Sequence, residues 1–296
     1  MANTFLTPAI IAREALMQLR NNAVMSKLVY RDYSDDFVGA VGDTITIRKP
    51  ATFVAKEFST AIDVQDATEN NVTVTMDKHL DVSFAVTSKE LTLDIKDFSQ
   101  QLIVPAMQAF NDKIDTLLID LAKAKVTQRI THASSAGAIT TAELVDARKF
   151  LVDHAAPTTD RNFVIGAVAE ADLLKTDLFV SADKVGDNGT ALREASIGRK
   201  YGMNFYTDQN IEKTSGETTD YTPSIAFHKN AFALVTRPLA LPMGAKDAAI
   251  VNYDGFGLRV VYGYDMSSKK DTVSIDMLCG VKELDKDLAA IIDDQR

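Results

Sequence analysis

A chain of 296 residues, 46% of them hydrophobic, carries enough apolar side chain to bury a large core in one domain or two, which excludes disorder as its general state. Its formal charge of −9, from 32 basic and 41 acidic residues, argues against a protein that neutralises nucleic acid over a broad basic face. The lone cysteine, Cys279, permits no intrachain disulfide, and His79, His132, His154 and His228 are too scattered in sequence to suggest a metal cluster.

No run approaches the roughly 20 apolar residues that span a bilayer, and the start MANTFLTPAIIAREAL lacks the basic leader and apolar core of a secretory signal. The expectation is a soluble protein of a cytoplasmic compartment with no membrane partner. Residues 7–29 read as a first helix, with Thr7 as cap, Pro8 at the favoured first position, and Ile10, Ile11, Leu16, Leu19 and Leu28 as apolar contacts. Asn21-Asn22 is an alternative end for a shorter helix. Arg13, Arg20, Lys27 and Arg31 against Glu14 give the first 31 residues a formal charge of +3, opposite in sign to the whole. That pattern fits either a solvated face or an arm facing an acidic partner or packaged nucleic acid.

The period then changes. Residues 44–48 (TITIR) and 71–76 (NVTVTM) alternate as strands do, and between them lie Phe53, Val54, Lys56 and Phe58 followed by a polar stretch. Together they predict a long two-stranded excursion, which is marginal in water unless another surface covers it. Val82, Phe84 and Val86 alternate as one more strand. Ile103, Met107, Phe110, Ile114, Leu117, Leu118 and Leu121 recur at three and four residues, predicting an amphipathic helix about 30 Å long, with Ser99 as a cap and Pro105 as either a kink or a first-turn residue.

Beyond a small-residue stretch at 131–141, a second helix is predicted from Thr141 through Leu144, Ala147, Phe150 and Leu151, then a strand at Phe163–Ile165 and a helix start at Ala169–Leu174. Residues 181–189 and 212–222 read as loops and Ala191–Ile197 as a short helix, while Gly198 and Gly202 allow close approach or positive φ. Met203–Tyr206 reads as a strand, and Ile225–Phe227, Phe232–Val235 and the region around Leu239 as short elements crossing back through the same domain. Residues 257–265 and 272–279 alternate strongly around a DMSSKKD hairpin connection. No catalytic constellation accompanies these elements: there is no HExxH, no phosphate-cradling glycine loop and no distinctive carboxylate pair, and Cys279 lies in an apolar run. No enzyme activity and no cofactor are expected.

The order of arm, β excursion, SKELTLDIKDFSQQLIVPAMQAFNDKIDTLLIDLAKA helix, inserted α/β region and closing YGYDMSSKKDTVSIDMLCGVKEL strands resembles the major capsid proteins of tailed bacteriophages, and most closely the coat-protein branch of short-tailed phages. The sharpest local matches are residues 88–125 and 255–284. The resemblance implies an α+β, Hong Kong 97-like fold. It maps residues 1–31 to an N-terminal arm, 32–42 to a connection, 43–80 to an extended loop, 81–137 to a peripheral domain with its spine helix, 138–248 to an axial domain, 249–271 to peripheral return strands and 272–296 to a closing strand and C-terminal segment.

What the resemblance implies for function is a coat subunit assembling as pentamers and hexamers into an icosahedral shell around phage double-stranded DNA, put together in the host cytoplasm. The implied partners are further copies of itself, scaffolding protein, a portal and, as an open option, a decoration protein. A nanocompartment of the same fold that encloses protein cargo is the alternative. Within this reading Ile10, Ile11, Leu16, Leu19, Phe53, Val54, Lys56 and Phe58 are candidate intersubunit contacts, with intrachain packing as the competing role. Arg13, Arg20, Lys27 and Arg31 are candidates to face scaffold or to contact DNA nonspecifically. Some members crosslink an extended-loop lysine to another subunit, but no lysine, asparagine and acid trio aligns here, and Lys56 is expected to be solvated or ion-paired.

Overall fold

The computed structural model describes residues 10–13, 15, 17, 24–31, 44–49, 53, 55, 57, 70–87, 102–131, 138–180, 197–211, 221–244, 247–253 and 256–295. Its longest helix, α2 (Val104–Lys125), is the predicted spine: at about 1.5 Å per residue its 22 residues span about 33 Å. Pro105 lies in its first turn, where a missing amide hydrogen costs nothing. Lys123 and Lys125 in the last turn complement the helix dipole. Ile103, Met107, Phe110, Ile114 and Leu118 are buried, and Leu117 and Leu121 are partly so.

The spine packs on a five-stranded sheet made of β3 (Lys78–Thr87), β9 (Phe232–Arg237), β10 (Asp247–Tyr253), β11 (Phe256–Asp265) and β12 (Lys270–Glu283). The order is β10-β11-β12-β3, with β9 pairing the far end of β12. Inward residues alternate along β12 as Val273, Ile275, Met277 and Cys279, the period-2 pattern of a strand with one buried face. β9, from within the 138–248 segment, and β12, from within 272–296, both pair inside the sheet under the spine. The reason is the length of β12: at 14 residues it reaches past the last β11 partner at Asp276, and β9 pairs with the edge so freed, from Leu278 to Glu283. At its other end, the turn to β11 is closed by Asp265, whose carboxylate accepts from the Ser267 amide at 2.9 Å and from the Ser267 and Ser268 hydroxyls. Those bonds hold its pKa down to about 2.

A six-stranded sheet runs β4 (Arg129–Thr131), β13 (Ala289–Gln295), β8 (Tyr221–His228), β5 (Arg161–Ile165), β7 (Met203–Thr207), β6 (Arg199–Lys200). Helices α3 (Thr141–Asp153) and α4 (Ala167–Lys175) pack against it around Leu144, Leu151, Phe163, Leu173 and Phe179, the last from α5 (Asp177–Val180). Arg129 reaches across from β4 to Asp293 on β13 with two 2.9 Å bonds. The β6–β7 hairpin turns through Tyr201 and Gly202, both at positive φ (51° and 77°), as a two-residue turn of right-twisted strands requires. Gly198 is also at positive φ, 67°.

A capping box starts α3: the Ala142 amide donates to Thr140 Oγ1 at 3.3 Å and the Thr140 amide donates to Glu143 Oε2 at 2.9 Å. Thr140→Ala is expected to cost about 1 kcal/mol, read as a lower urea midpoint with an unchanged slope.

The N-terminal segment is helical at residues 10–13 and again in α1 (Met25–Leu28). Helix ends there, because Val29 is extended (φ −95°, ψ 169°) and Tyr30 bridges to Ala233 on β9. The region of the expected loop at 181–189 and the expected short helix at 191–196 lie outside the described residues.

Candidate functional site

The excursion predicted from alternation is a two-stranded antiparallel ribbon, β1 (Thr44–Lys49) with β2 (Asn70–Thr75). Ile45 pairs with Val74 and Ile47 with Val72; Ile47, Val72 and Val74 share one face, and Thr44, Thr46, Asn71, Thr73 and Thr75 are exposed on the other. Ile47, Val74 and Met76 are buried with Ala233, Val235 and Leu284, and Tyr30 and Val72 pack against that cluster. The root of the ribbon is thus covered by its own chain, and farther out Phe53 is 64% exposed.

Three segments converge at this root. Tyr30 inserts beside β9, its amide donating to Phe232 O and its carbonyl accepting from the Leu234 amide, both at 3.0 Å. Lys229 Nζ lies 5.5 Å from the centre of the Tyr30 ring. On β12, Gly280 lies so close beneath the end of β2 that a Cβ there would overlap the Thr75 carbonyl oxygen and stand 3.2 Å from Met76 Cα. Only glycine permits that approach, since the obstacle is backbone and cannot rotate away.

A second junction ties the arm to the spine. The Asp115 carboxylate accepts from the Val24 and Ser26 amides, each at 3.3 Å and on different oxygens. Burial, reinforced by the nearby Asp208, outweighs those bonds and raises its pKa to about 7. Asp208, in the turn after β7, is also pushed upward by burial. Beneath the opposite face of the five-stranded sheet, Asp276 pairs side-on with Arg259: Nε donates to Oδ1 at 2.9 Å and Nη2 to Oδ2, while His79 Nε2 lies 3.3 Å from Oδ2. Arg259 also donates to the Ala240 carbonyl at 2.5 Å, holding the connection between β9 and β10.

The predicted contact residues are distributed unevenly. Ile10 is half-exposed, but Ile11 is 1% exposed in the main core with Ala12, Ala15, Met25 and Val29, so its burial comes from its own chain and not from a neighbour. Arg13 and Lys27 are exposed, whereas Arg31 lies over the Phe256 ring at 4.8 Å. Leu16, Leu19, Arg20, Val54, Lys56 and Phe58 lie outside the described residues. Sequence reasoning missed Gly280, Tyr30 and Asp115. Only Asp115 carried a signal, a carboxylate among the buried positions of an apolar helix face.

The groups that chemistry would need are spread apart. Cys279 is buried, which pushes its thiol up to about 12. His228 is lowered by burial and accepts from the Asn230 amide at 3.2 Å, and His154 Nδ1 bonds Phe150 O at 2.9 Å. Among the described residues no three His, Cys, Asp or Glu side chains come together to hold a metal, and no helix is long and apolar enough to cross a membrane.

The profile of the family described as phage capsid protein matches residues 55–238, more than half of the chain. The chain belongs to the phage capsid protein family. This capsid protein has the Hong Kong 97-like fold of solved phage capsids. It superposes on a chain from Mycobacterium phage Che8 with a TM-score of 0.68 at 17% identity, covering 92% of this chain and 91% of that one. The capsid of cyanophage P-SCSP1u gives a TM-score of 0.61 at 13% identity over 86% and 84% of the two chains. A virus-like particle from Pyrococcus furiosus gives 0.52 at 11% identity over 95% and 97%. No curated protein matches the capsid protein. As a major capsid protein it is a structural, oligomer-forming component of the virion shell.

Proposed function

We propose that the subunit assembles as pentamers and hexamers into an icosahedral shell that encloses double-stranded phage DNA, with the β1–β2 ribbon as the principal arm between neighbours. The observation that carries this is the ribbon itself: it pairs with no third strand among the described residues, it is held at its root, and Phe53 beyond that root is exposed. A two-stranded ribbon of this kind needs a further surface. The exposed face of threonines and Phe53 offer a neighbour about 1.5–3 kcal/mol for each large apolar side chain fully buried, before ordering costs. Many such weak contacts, repeated by symmetry, sustain a closed shell.

In this reading scaffolding protein directs closure in the host cytoplasm, a portal occupies one vertex and a decoration protein is an optional addition. Arg13 and Lys27, exposed on the arm, with Arg20, face scaffold or packaged DNA. Arg31 contributes less because its guanidinium already lies over Phe256. Cryo-electron microscopy of particles from phage lysate and from protein expressed alone tests the assembly. Closed shells with residues 43–80 crossing between subunits and DNA inside the native particle are the expected result. A stable monomer in both preparations overturns it, and a shell filled with protein cargo points to a nanocompartment instead. Neutralising Arg13, Arg20 and Lys27 together to glutamine is expected to flatten the salt dependence of scaffold or DNA association, because each lost phosphate contact removes a counterion-release step. Association and salt response identical to wild type would remove these residues from the interface.

A further inference from the structure

The arm–spine junction holds more buried polar atoms than its hydrogen bonds account for. Asp115 is 2% exposed and Asn111, one helical turn earlier on the same face of α2, is 3% exposed. Among the described residues neither the amide oxygen nor the amide nitrogen of Asn111 has a partner, and neither does the hydroxyl of Ser26, whose own backbone amide donates to Asp115. Asp208 approaches from the turn after β7. Its backbone amide donates to Ile165 O at 2.9 Å, and Asn210 of the same turn reaches Asp112 on the spine at 3.5 Å. Among the described residues the charged groups acting on Asp115 are two more carboxylates, Asp208 and Asp112. The cation of the arm turn, Lys27, is exposed.

We propose that Asp115 is a proton-operated latch for the N-terminal arm: with its carboxyl neutral the Val24–Leu28 turn stays seated on the spine, and ionisation loosens it. A neutral carboxyl removes repulsion from Asp208 and Asp112. A charged carboxylate is desolvated and faces like charge, and lifting the arm returns it to water. The sign follows from linkage. The seated state binds the proton more tightly than the lifted one, so seating is strongest below the ordinary carboxylate pKa and weakens as pH rises toward about 7. One coupled proton changes the seated-to-lifted ratio by at most tenfold per pH unit, about a thousandfold over the whole window.

Met25 is a built-in reporter, since it lies in the arm turn and is fully buried. Unassembled full-length subunits would be exposed to hydrogen peroxide between pH 5 and pH 8, with sulfoxide formation quantified for each methionine by mass spectrometry. Met17 and Met243, both exposed, serve as unprotected standards, and Met107 on the spine and Met277 on β12, both fully buried, report global unfolding. The expected result is that Met25 protection falls severalfold to tenfold per unit from pH 5 to pH 7 and levels off above, while Met107 stays protected. Asp115→Asn is expected to flatten that profile. Protection of Met25 that does not vary with pH, or a slope that persists in Asp115→Asn, overturns the latch. If Asp115→Asn fails to fold, Asp208→Asn decides: removing the neighbouring charge is expected to move the midpoint to lower pH, and an unmoved midpoint overturns the proposal equally.

Discussion

Gly280→Val is expected to detach the β1–β2 ribbon from its root and abolish shell formation. A Cβ at this position overlaps the Thr75 carbonyl oxygen, and the two further methyls of valine deepen the overlap. Overpacking a close-packed site costs up to about 3 kcal/mol, and here relief requires moving a strand. Either β2 lifts away, exposing Ile47, Val74 and Met76, or β12 shifts and loses register with β3 and β9. Gly280→Ala is expected to lie between wild type and valine. Urea unfolding of unassembled subunits gives the stability loss and negative-stain microscopy gives the assembly defect. Shells of normal shape with an unchanged unfolding midpoint would show that the ribbon root is not set by this contact.

Asp276→Ala is expected to destabilise the subunit by about 3–5 kcal/mol, the cost of leaving a mostly buried guanidinium without its counter-charge. Arg259 has two bonds to Asp276, and its side chain is 15% exposed. It has no second carboxylate at bonding distance among the described residues, although Asp81 acts on it from β3 at longer range. Replacing both partners together, Asp276→Leu with Arg259→Met, is expected to recover much of the loss, because an apolar pair of similar volume carries no desolvation penalty. The double-mutant cycle, read by urea unfolding, separates the pair's own coupling from the bond that Arg259 gives to Ala240. Equal losses in the single and double variants would mean that Asp276 contributes through packing alone.

The elements that the sequence disclosed are those whose signal is local. The spine was legible because Met107, Phe110, Ile114 and Leu118 repeat with the helical period, and the ribbon because Ile45, Ile47, Val72 and Val74 alternate between polar neighbours. The two positive-φ glycines, Gly198 and Gly202, lie within a few residues of the turns they allow. Long-range pairing was not legible. Nothing in residues 270–283 says that they meet β3, far earlier in the chain. β13 was left without a strand pattern because Asp293 and Asp294 end an otherwise apolar run, yet both are buried, with Asp293 neutralised by Arg129. The site residues divide the same way. Exposed candidates such as Ile10 and Phe53 were nameable from composition, whereas Gly280 owes its importance to a backbone that arrives from residue 75.

The position of β12 and β13 has a bearing on biosynthesis. β12 is an inner strand of one sheet, and β13 stands between β4 and β8 in the other. A ribosome that has translated residues 1–269 has therefore released a spine, a ribbon and two sheets, each with a gap where an inner strand belongs. Neither sheet closes until residues 270–295 emerge, and the surface on which the ribbon root rests, Gly280 included, emerges with them. Nascent subunits thus stay incompetent to join a growing shell until residues 270–295 have emerged, which delays polymerisation on the polysome by the order in which the strands are synthesised.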